Sequence, residues 1–294
     1  MPDQAEPLRR MIQEKMVFTS PLRTRLVAVA SGKGGVGKTN IVLNLALTLA
    51  AQGKKVAVLD GDFGFSNIDI LLGVKPEYSL QDVLDGKITL SKALMTGPYN
   101  MRFVSGGAGI ATDDSRSQMA VSRLSKELQT MDGEFDQIFI DFGAGFGALT
   151  SEMMRLCDEL LLVVTPENTS VADAYALLKM MTVRGSVPQV YLVVNRVPSF
   201  VEGAATADRF KLVVGKFLSI DLKLLGYVME DTAVSRAVNR QIPFIIGEPQ
   251  SAVAKCMHQL AKNSYSDLIP SMIEGGINEH GIKAFFKRFF NRNG

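Results

Sequence analysis

At 294 residues, 47% hydrophobic and 21% charged, the chain can bury a substantial core as one large domain, or as one domain with small appendages. Against 30 acidic side chains stand 32 basic ones, and a net charge of +2 supplies no global field for nucleic acid, so electrostatic targeting must be local. Two distant cysteines, Cys157 and Cys256, and two isolated histidines, His258 and His280, argue against a disulfide framework, a zinc site, histidine catalysis and an iron–sulfur carrier, although a dimer could pool its cysteines. No signal peptide and no run of 18 apolar residues is evident, so the expectation is a soluble protein of a reducing compartment.

In chain order, residues 1–22 are polar and charged with prolines at Pro2, Pro7 and Pro21, which suggests a short helix near 3–16 and a linker. Leu26–Ala30 reads as a short buried strand, and Ile41, Leu43, Leu45, Leu47 and Leu49 belong to an apolar helix. Between them stands Gly32-Lys33-Gly34-Gly35-Val36-Gly37-Lys38-Thr39, the G-x-x-x-x-G-K-[ST] pattern of a phosphate-binding loop. Further strands are expected at 55–60, 102–105, 137–141, 159–165, 189–195 and 224–228, mostly separated by amphipathic stretches of helical length. That alternation predicts an α/β fold, a P-loop domain with a doubly wound, mostly parallel sheet flanked by helices, over residues 23–268. Residues 269–281, with Pro270, Gly275 and Gly276, read as a linker to a distinct amphipathic helix at 282–292.

Ligands of such sheets sit beyond the carboxyl ends of the strands, which singles out Asp60, Asp62, Asp141 and Asn195. Glycines let backbone N–H groups turn toward phosphates; Lys38 is expected to bridge the β- and γ-phosphates and Thr39 to ligate Mg²⁺. Asp141, followed by the glycine-rich stretch 143–147, is a natural direct or outer-sphere Mg²⁺ partner; otherwise it caps the next helix. Asp62, in the loop Asp60-Gly61-Asp62-Phe63-Gly64, is the candidate to orient the attacking water, the competing role being to hold Mg²⁺ through water. Asp60, nearer the strand, reads as structural.

The loop with its extra lysine, the Asp60-x-Asp62 loop and the Asp141-x-x-Ala144-Gly145 loop together resemble the deviant Walker A ATPases of the MinD/ParA family. The resemblance implies ATP and Mg²⁺ as ligands, an ATP-sandwiched homodimer, and slow hydrolysis in which Lys33 reaches the partner's phosphates much as an arginine finger does. Within the family the sequence is similar to the flagellar FlhG/YlxH/FleN branch, which controls flagellar number and placement. Asp3, Gln4, Ala5, Leu8 and Arg9 match its D-Q-A-x-x-L-R segment, implying stimulation of the GTPase FlhF; Asn40 after the loop, 165–175 and 193–196 resemble the corresponding stretches. Pro7 falls inside that segment and would strain a helix capped at Asp3; a helix that begins at Pro7 is the alternative. Asn195 is the candidate for reading adenine, since an amide offers a donor and an acceptor; Arg196 would flank the base and the backbone near Pro243 would close the pocket.

In the tail, Ile282, Phe285, Phe286, Phe289 and Phe290 share one helical face while Lys283, Lys287, Arg288 and Arg292 take the rest. This is the pattern of an interfacial anchor for an anionic lipid membrane; docking on the chain's own core is the alternative. The resulting expectation is a MinD-like regulatory ATPase at the inner face of the cell membrane, with flagellar switch-complex proteins or a transcription regulator as further partners and no direct DNA binding. The rivals are a division-site or partition ATPase of the same fold, and a nucleotide-binding adaptor whose turnover is immaterial.

Overall fold

The computed structural model describes residues 24–62, 67–107, 114–143, 148–185 and 187–266. The segment expected at 1–22, the linker and the 282–292 helix lie outside them, as do Phe63, Gly64 and 144–147.

Eight strands form one sheet: β1 Arg25–Ala30, β2 Val56–Gly61, β3 Met95–Thr96, β4 Arg102–Val104, β5 Gln137–Phe142, β6 Glu159–Val164, β7 Gln189–Val197 and β8 Leu222–Met229. Their order is β3-β4-β2-β5-β1-β6-β7-β8, and every pairing is parallel except the antiparallel β3–β4. The expected strands are all present with ends moved by a residue or two. Missing from the expectation was β3, whose two residues are too few to carry a periodic signal.

Each central strand is buried on both faces, so its side chains divide strictly by parity. In β1, Leu26, Ala28 and Ala30 join one apolar cluster while Val27 and Val29 join the other; in β6, Leu160, Leu162 and Val164 oppose Leu161 and Val163. On the first face pack α3 Leu80–Leu84, α4 Leu90–Ala93, α5 Asp114–Thr130, α6 Ala148–Leu156, α7 Asn168–Val183 and α8 Phe200–Leu218. On the second lie α1 Lys38–Ala51, α2 Ile68–Leu72, α9 Thr232–Arg240, α10 Phe244–Gly247 and α11 Ala252–Ser266.

Helix α1 is buried from Ile41 to Ala50, because the sheet covers one side and α10 and α11 the other. Its buried polar groups are satisfied: Asn44 Oδ1 accepts from the Ile245 N–H at 3.0 Å, and Thr48 Oγ1 donates to the Asn44 carbonyl at 2.7 Å. At the opposite end of the sheet from the phosphate loop, Arg25 pairs with Glu159 through two hydrogen bonds, and its Nη1 also donates to the Ser264 carbonyl at 3.4 Å. The first and last described stretches therefore meet at the base of the sheet.

Candidate nucleotide site

The chain diverges to either side of β1, whose neighbours are β5 and β6, so a crevice opens at its carboxyl end. There β1 passes into the loop 31–37 and then α1. Gly37 caps α1 with a left-handed φ of 94°, no side chain caps the helix, and no acidic residue stands in its first turn. An uncapped helix N-terminus without a carboxylate favours an anion. Two glycines have a steric reason to be there. A Cβ on Gly32 would lie 2.0 Å from the backbone carbonyl carbon of Asp173 in α7, and one on Gly37 would lie 2.6 Å from Asn195 Nδ2. Gly32→Ala is accordingly expected to destabilise the chain by at least about 2 kcal/mol, read as a lowered thermal midpoint, because the obstacle is backbone rather than a mobile side chain.

Three carboxylates gather where β2 and β5 run side by side with Asp60 opposite Asp141. Asp60 is fully buried; its Oδ1 accepts from the Asp62 N–H at 3.1 Å and its Oδ2 from the N–H groups of Asn67 and Ile68 at 3.0 and 3.4 Å. It holds both ends of the loop that carries Asp62, which is the structural role expected. Burial pushes its carboxyl upward, against those three backbone donors. Asp62 rests against the second loop: a Cβ on Gly143 would fall within 2.8 Å of all three carboxylate atoms.

Asp141 is 2% exposed, and its Oδ1 has no hydrogen-bond partner among the described residues. Burial pushes the carboxyl up to about 7, opposed by the Lys38 ammonium and a hydrogen bond from Thr39, and reinforced by Asp60 and Asp62. A buried, unpaired acceptor beside a hydroxyl and a lysine fits Mg²⁺ bound together with phosphate. No group of three or more His, Cys, Asp or Glu able to hold a metal occurs among the described residues; Asp141 and the Thr39 hydroxyl would hold Mg²⁺ together with phosphate oxygens and water.

The raised Asp141 carboxyl carries a pH signature. Between about pH 4 and 7 the folded chain holds a proton that the unfolded chain has released, so stability falls as pH rises through that window. Asp60 acts in the same direction. Asp141→Asn is expected to raise the nucleotide-free protein's stability at pH 8 by on the order of 1–3 kcal/mol and to flatten the dependence, while removing the extra stabilisation given by Mg²⁺-nucleotide. Thermal melts at pH 5 and 8 with and without Mg²⁺-ATP measure both.

Asn195, at the end of β7, is 7% exposed and its Nδ2 donates to the Val36 carbonyl at 2.7 Å. The residue expected to meet a base thus also fixes the phosphate loop, a contact that composition and spacing could not reveal. Arg196 follows at a bulge in the β7–β8 pairing with φ 54° and an exposed side chain. Pro243 opens α10, which the Ile245–Asn44 bond ties to α1.

Lys38 is buried at the start of α1, whereas Lys33 is exposed. Within this single chain the Lys33 ammonium lies 3.1 Å from Glu167 Oε2 and 3.3 Å from Thr169 Oγ1, at the start of α7. Glu167 and Thr169 received no role from the sequence. Both follow the end of β6, but that β6 lies beside β1 is a fact of the sheet order, which the sequence does not announce.

Comparison with known proteins agrees with this geometry. The model of the family described as "ParA: NUBPL iron-transfer P-loop NTPase" matches residues 23–265. The chain belongs to the ParA family. It is 33% identical to the antiactivator FleN of Pseudomonas aeruginosa, covering 85% of this chain and 90% of that one, and 30% identical to the flagellum site-determining protein YlxH of Helicobacter pylori, covering 93% and 92%. A solved structure of the septum site-determining protein MinD from Pyrococcus horikoshii, complexed with Mg-ADP, superposes with a TM-score of 0.68 at 26% identity, covering 85% of this chain and 99% of that one. As a ParA-family P-loop NTPase the chain is an ATPase that uses ATP and Mg²⁺. The two cysteines, Cys157 and Cys256, are both buried and belong to the apolar clusters on opposite faces of the sheet.

Proposed function

We propose that the chain is a MinD-like regulatory ATPase of flagellar number and placement, which dimerises around ATP, resides on the membrane while dimeric, and releases on hydrolysis. The observation that carries the proposal is the clustering of Lys38 and Thr39 around the buried Asp141 carboxyl, beside a second lysine, Lys33, that stays exposed. Similarity to FleN and YlxH over most of the chain supports the flagellar assignment.

Mg²⁺ neutralises charge developing on the transferred phosphoryl oxygens. The chain's own residues do the rest. Lys38 and the N-terminus of α1 hold phosphate, Asp62 orients water, Asn195 and Arg196 meet the base, and Lys33 leaves Glu167 to reach a second copy's phosphates. The segment Asp3-Gln4-Ala5-x-x-Leu8-Arg9 stimulates an FlhF-type GTPase, and the face formed by Ile282, Phe285, Phe286, Phe289 and Phe290 enters the lipid interface with Lys283, Lys287 and Arg288 on anionic headgroups. One anchor this short binds weakly; two on a dimer bind through effective concentration.

Liposome sedimentation with ATP, with ADP, and with a chain truncated after Asn278 tests the cycle. Membrane-bound protein is expected only for the full chain with ATP, and equal sedimentation in all three would defeat the proposal. A peptide of residues 1–20 is expected to raise the GTPase rate of an FlhF partner; an unchanged rate would return the chain to the division-site reading, which MinD of Bacillus subtilis, 29% identical, represents.

A further inference from the structure

Strands β4, β2 and β5 lie side by side, so the segments that follow them stand in a row with Asp62 in the middle one. On the β5 side its carboxylate meets Gly143. On the β4 side its backbone meets Gly106: a Cβ built there would stand 2.7 Å from the Asp62 carbonyl oxygen, 3.1 Å from that of Asp60 and 3.4 Å from the Asp60 carboxyl carbon. The first of these distances is well inside ordinary van der Waals contact. Asp62 is therefore walled on both sides by a residue without a side chain.

The glycine at 106 is there for space and not for its backbone conformation. Gly107, next in the chain, has φ 94°, in the left-handed region that favours glycine, whereas Gly106 falls outside that region. Its segment is also backed from behind. The carbonyls of Ser105 and Gly106 accept from the N–H groups of Leu80 and Gln81 at 2.7 and 3.0 Å, donors that the first turn of α3 cannot use internally. Ser79 caps the same helix and forms a parallel bridge with Ser105. It is locked to Asp82 in both directions, its N–H donating to the carboxylate at 3.1 Å and its Oγ accepting from the Asp82 N–H at 3.3 Å. A Cβ on Gly107 would meet that Oγ at 2.7 Å.

With α3 behind Gly106, strain introduced at 106 passes forward. Asp60 sits in the β2–β5 ladder opposite Asp141, and the paired stretch ends at Gly61 against Phe142. Asp62 lies one residue beyond it, tethered by its N–H to Asp60 Oδ1 at 3.1 Å. Of the two residues that Gly106 touches, Asp62 is the one able to move.

We infer that Gly106 is a positioning residue for phosphoryl transfer, which sets the place of the Asp62 main chain and so the direction of its carboxylate. The inference rests on the role proposed above for Asp62. It makes the β4 end, through α3, a third support of the hydrolytic site beside the β2 and β5 ends.

In the full chain, Gly106→Ala is expected to lower kcat by about 10- to 10²-fold, the scale of an ångström's misplacement at a reacting centre. KM for ATP is expected to stay within about two- to three-fold, and the rise in thermal midpoint on adding Mg²⁺ and a non-hydrolysable ATP analogue to be retained. In an Asp62→Ala background the same substitution is expected to change kcat by less than about two-fold, because the group it misplaces is gone. Should Gly106→Ala not fold, Ser79→Ala carries the same test: it loosens the backing without adding an atom, and a kcat lowered a few-fold only where Asp62 is present is expected. An unchanged kcat, a loss confined to KM, or losses that multiply in the double variant would each overturn the inference. If Asp62→Ala alone leaves kcat unchanged, the role proposed for Asp62 fails and the inference with it. If Asp62→Ala lowers kcat and the substitutions at 106 and 79 do not, that role stands and the inference alone falls.

Discussion

Lys33→Ala is expected to reduce ATP turnover about 10³-fold or more and to abolish the ATP-dependent dimer, while nucleotide binding to the monomer stays within a few-fold. A cation supplied to a transferring phosphoryl group is worth on the order of 10³–10⁵ in kcat, and Lys33 alone of the loop's two lysines is exposed enough to leave its own subunit. Its present contact is an exposed one, with the Lys33 side chain 44% and Glu167 59% accessible, so it stabilises the docked position by about 1 kcal/mol at most. Glu167→Ala should therefore tighten dimerisation by up to about five-fold for each of the two subunits and leave the rate per dimer unchanged, the opposite of Lys33→Ala. Sedimentation velocity with a non-hydrolysable ATP analogue and steady-state turnover separate the two variants. A loss of dimer in Glu167→Ala would mean that the carboxylate is needed to aim Lys33.

Asp62→Ala is the second large effect. Removing a single positioned group at a transition state costs about 10²–10³ in kcat, and here ATP affinity and dimerisation should survive because the backbone N–H groups of Asp62 and Asn67 stay bonded to Asp60 whatever side chain stands at 62. The Mg²⁺ dependence decides between the two roles open to it. An unchanged Mg²⁺ midpoint with lowered kcat assigns Asp62 to water; a midpoint shifted upward assigns it to the metal's water shell. Lost turnover with intact flagellar control would favour the adaptor reading.

The parallel sheet and the loop were legible because each rests on local pattern: strand parity with two buried faces, and a glycine spacing that only a tight backbone cradle explains. Asp141 was legible by its place at a strand end, whereas its proton affinity depends on Lys38 and Thr39 packed against it and on Asp60 in the next strand. Contacts that join distant segments left no such trace. Lys33 meets Glu167 across 134 positions and Asn195 meets Val36 across 159, and neither pairing has a periodicity or a motif to announce it. The apolar surface at which β8, α8 and α11 converge was invisible for the same reason, since these elements meet only through the fold.

The Asn195–Val36 bond has a consequence for substrate selection. On the proposed assignment of Asn195 to the base, one amide would serve both the base and the carbonyl of Val36, so a base that drew Asn195 out of line would also displace the loop proposed to hold the phosphates. Discrimination among nucleoside triphosphates would then be written in the rate of phosphoryl transfer as well as in affinity, and tripolyphosphate, which has the phosphates and no base, would bind the cradle without setting its position.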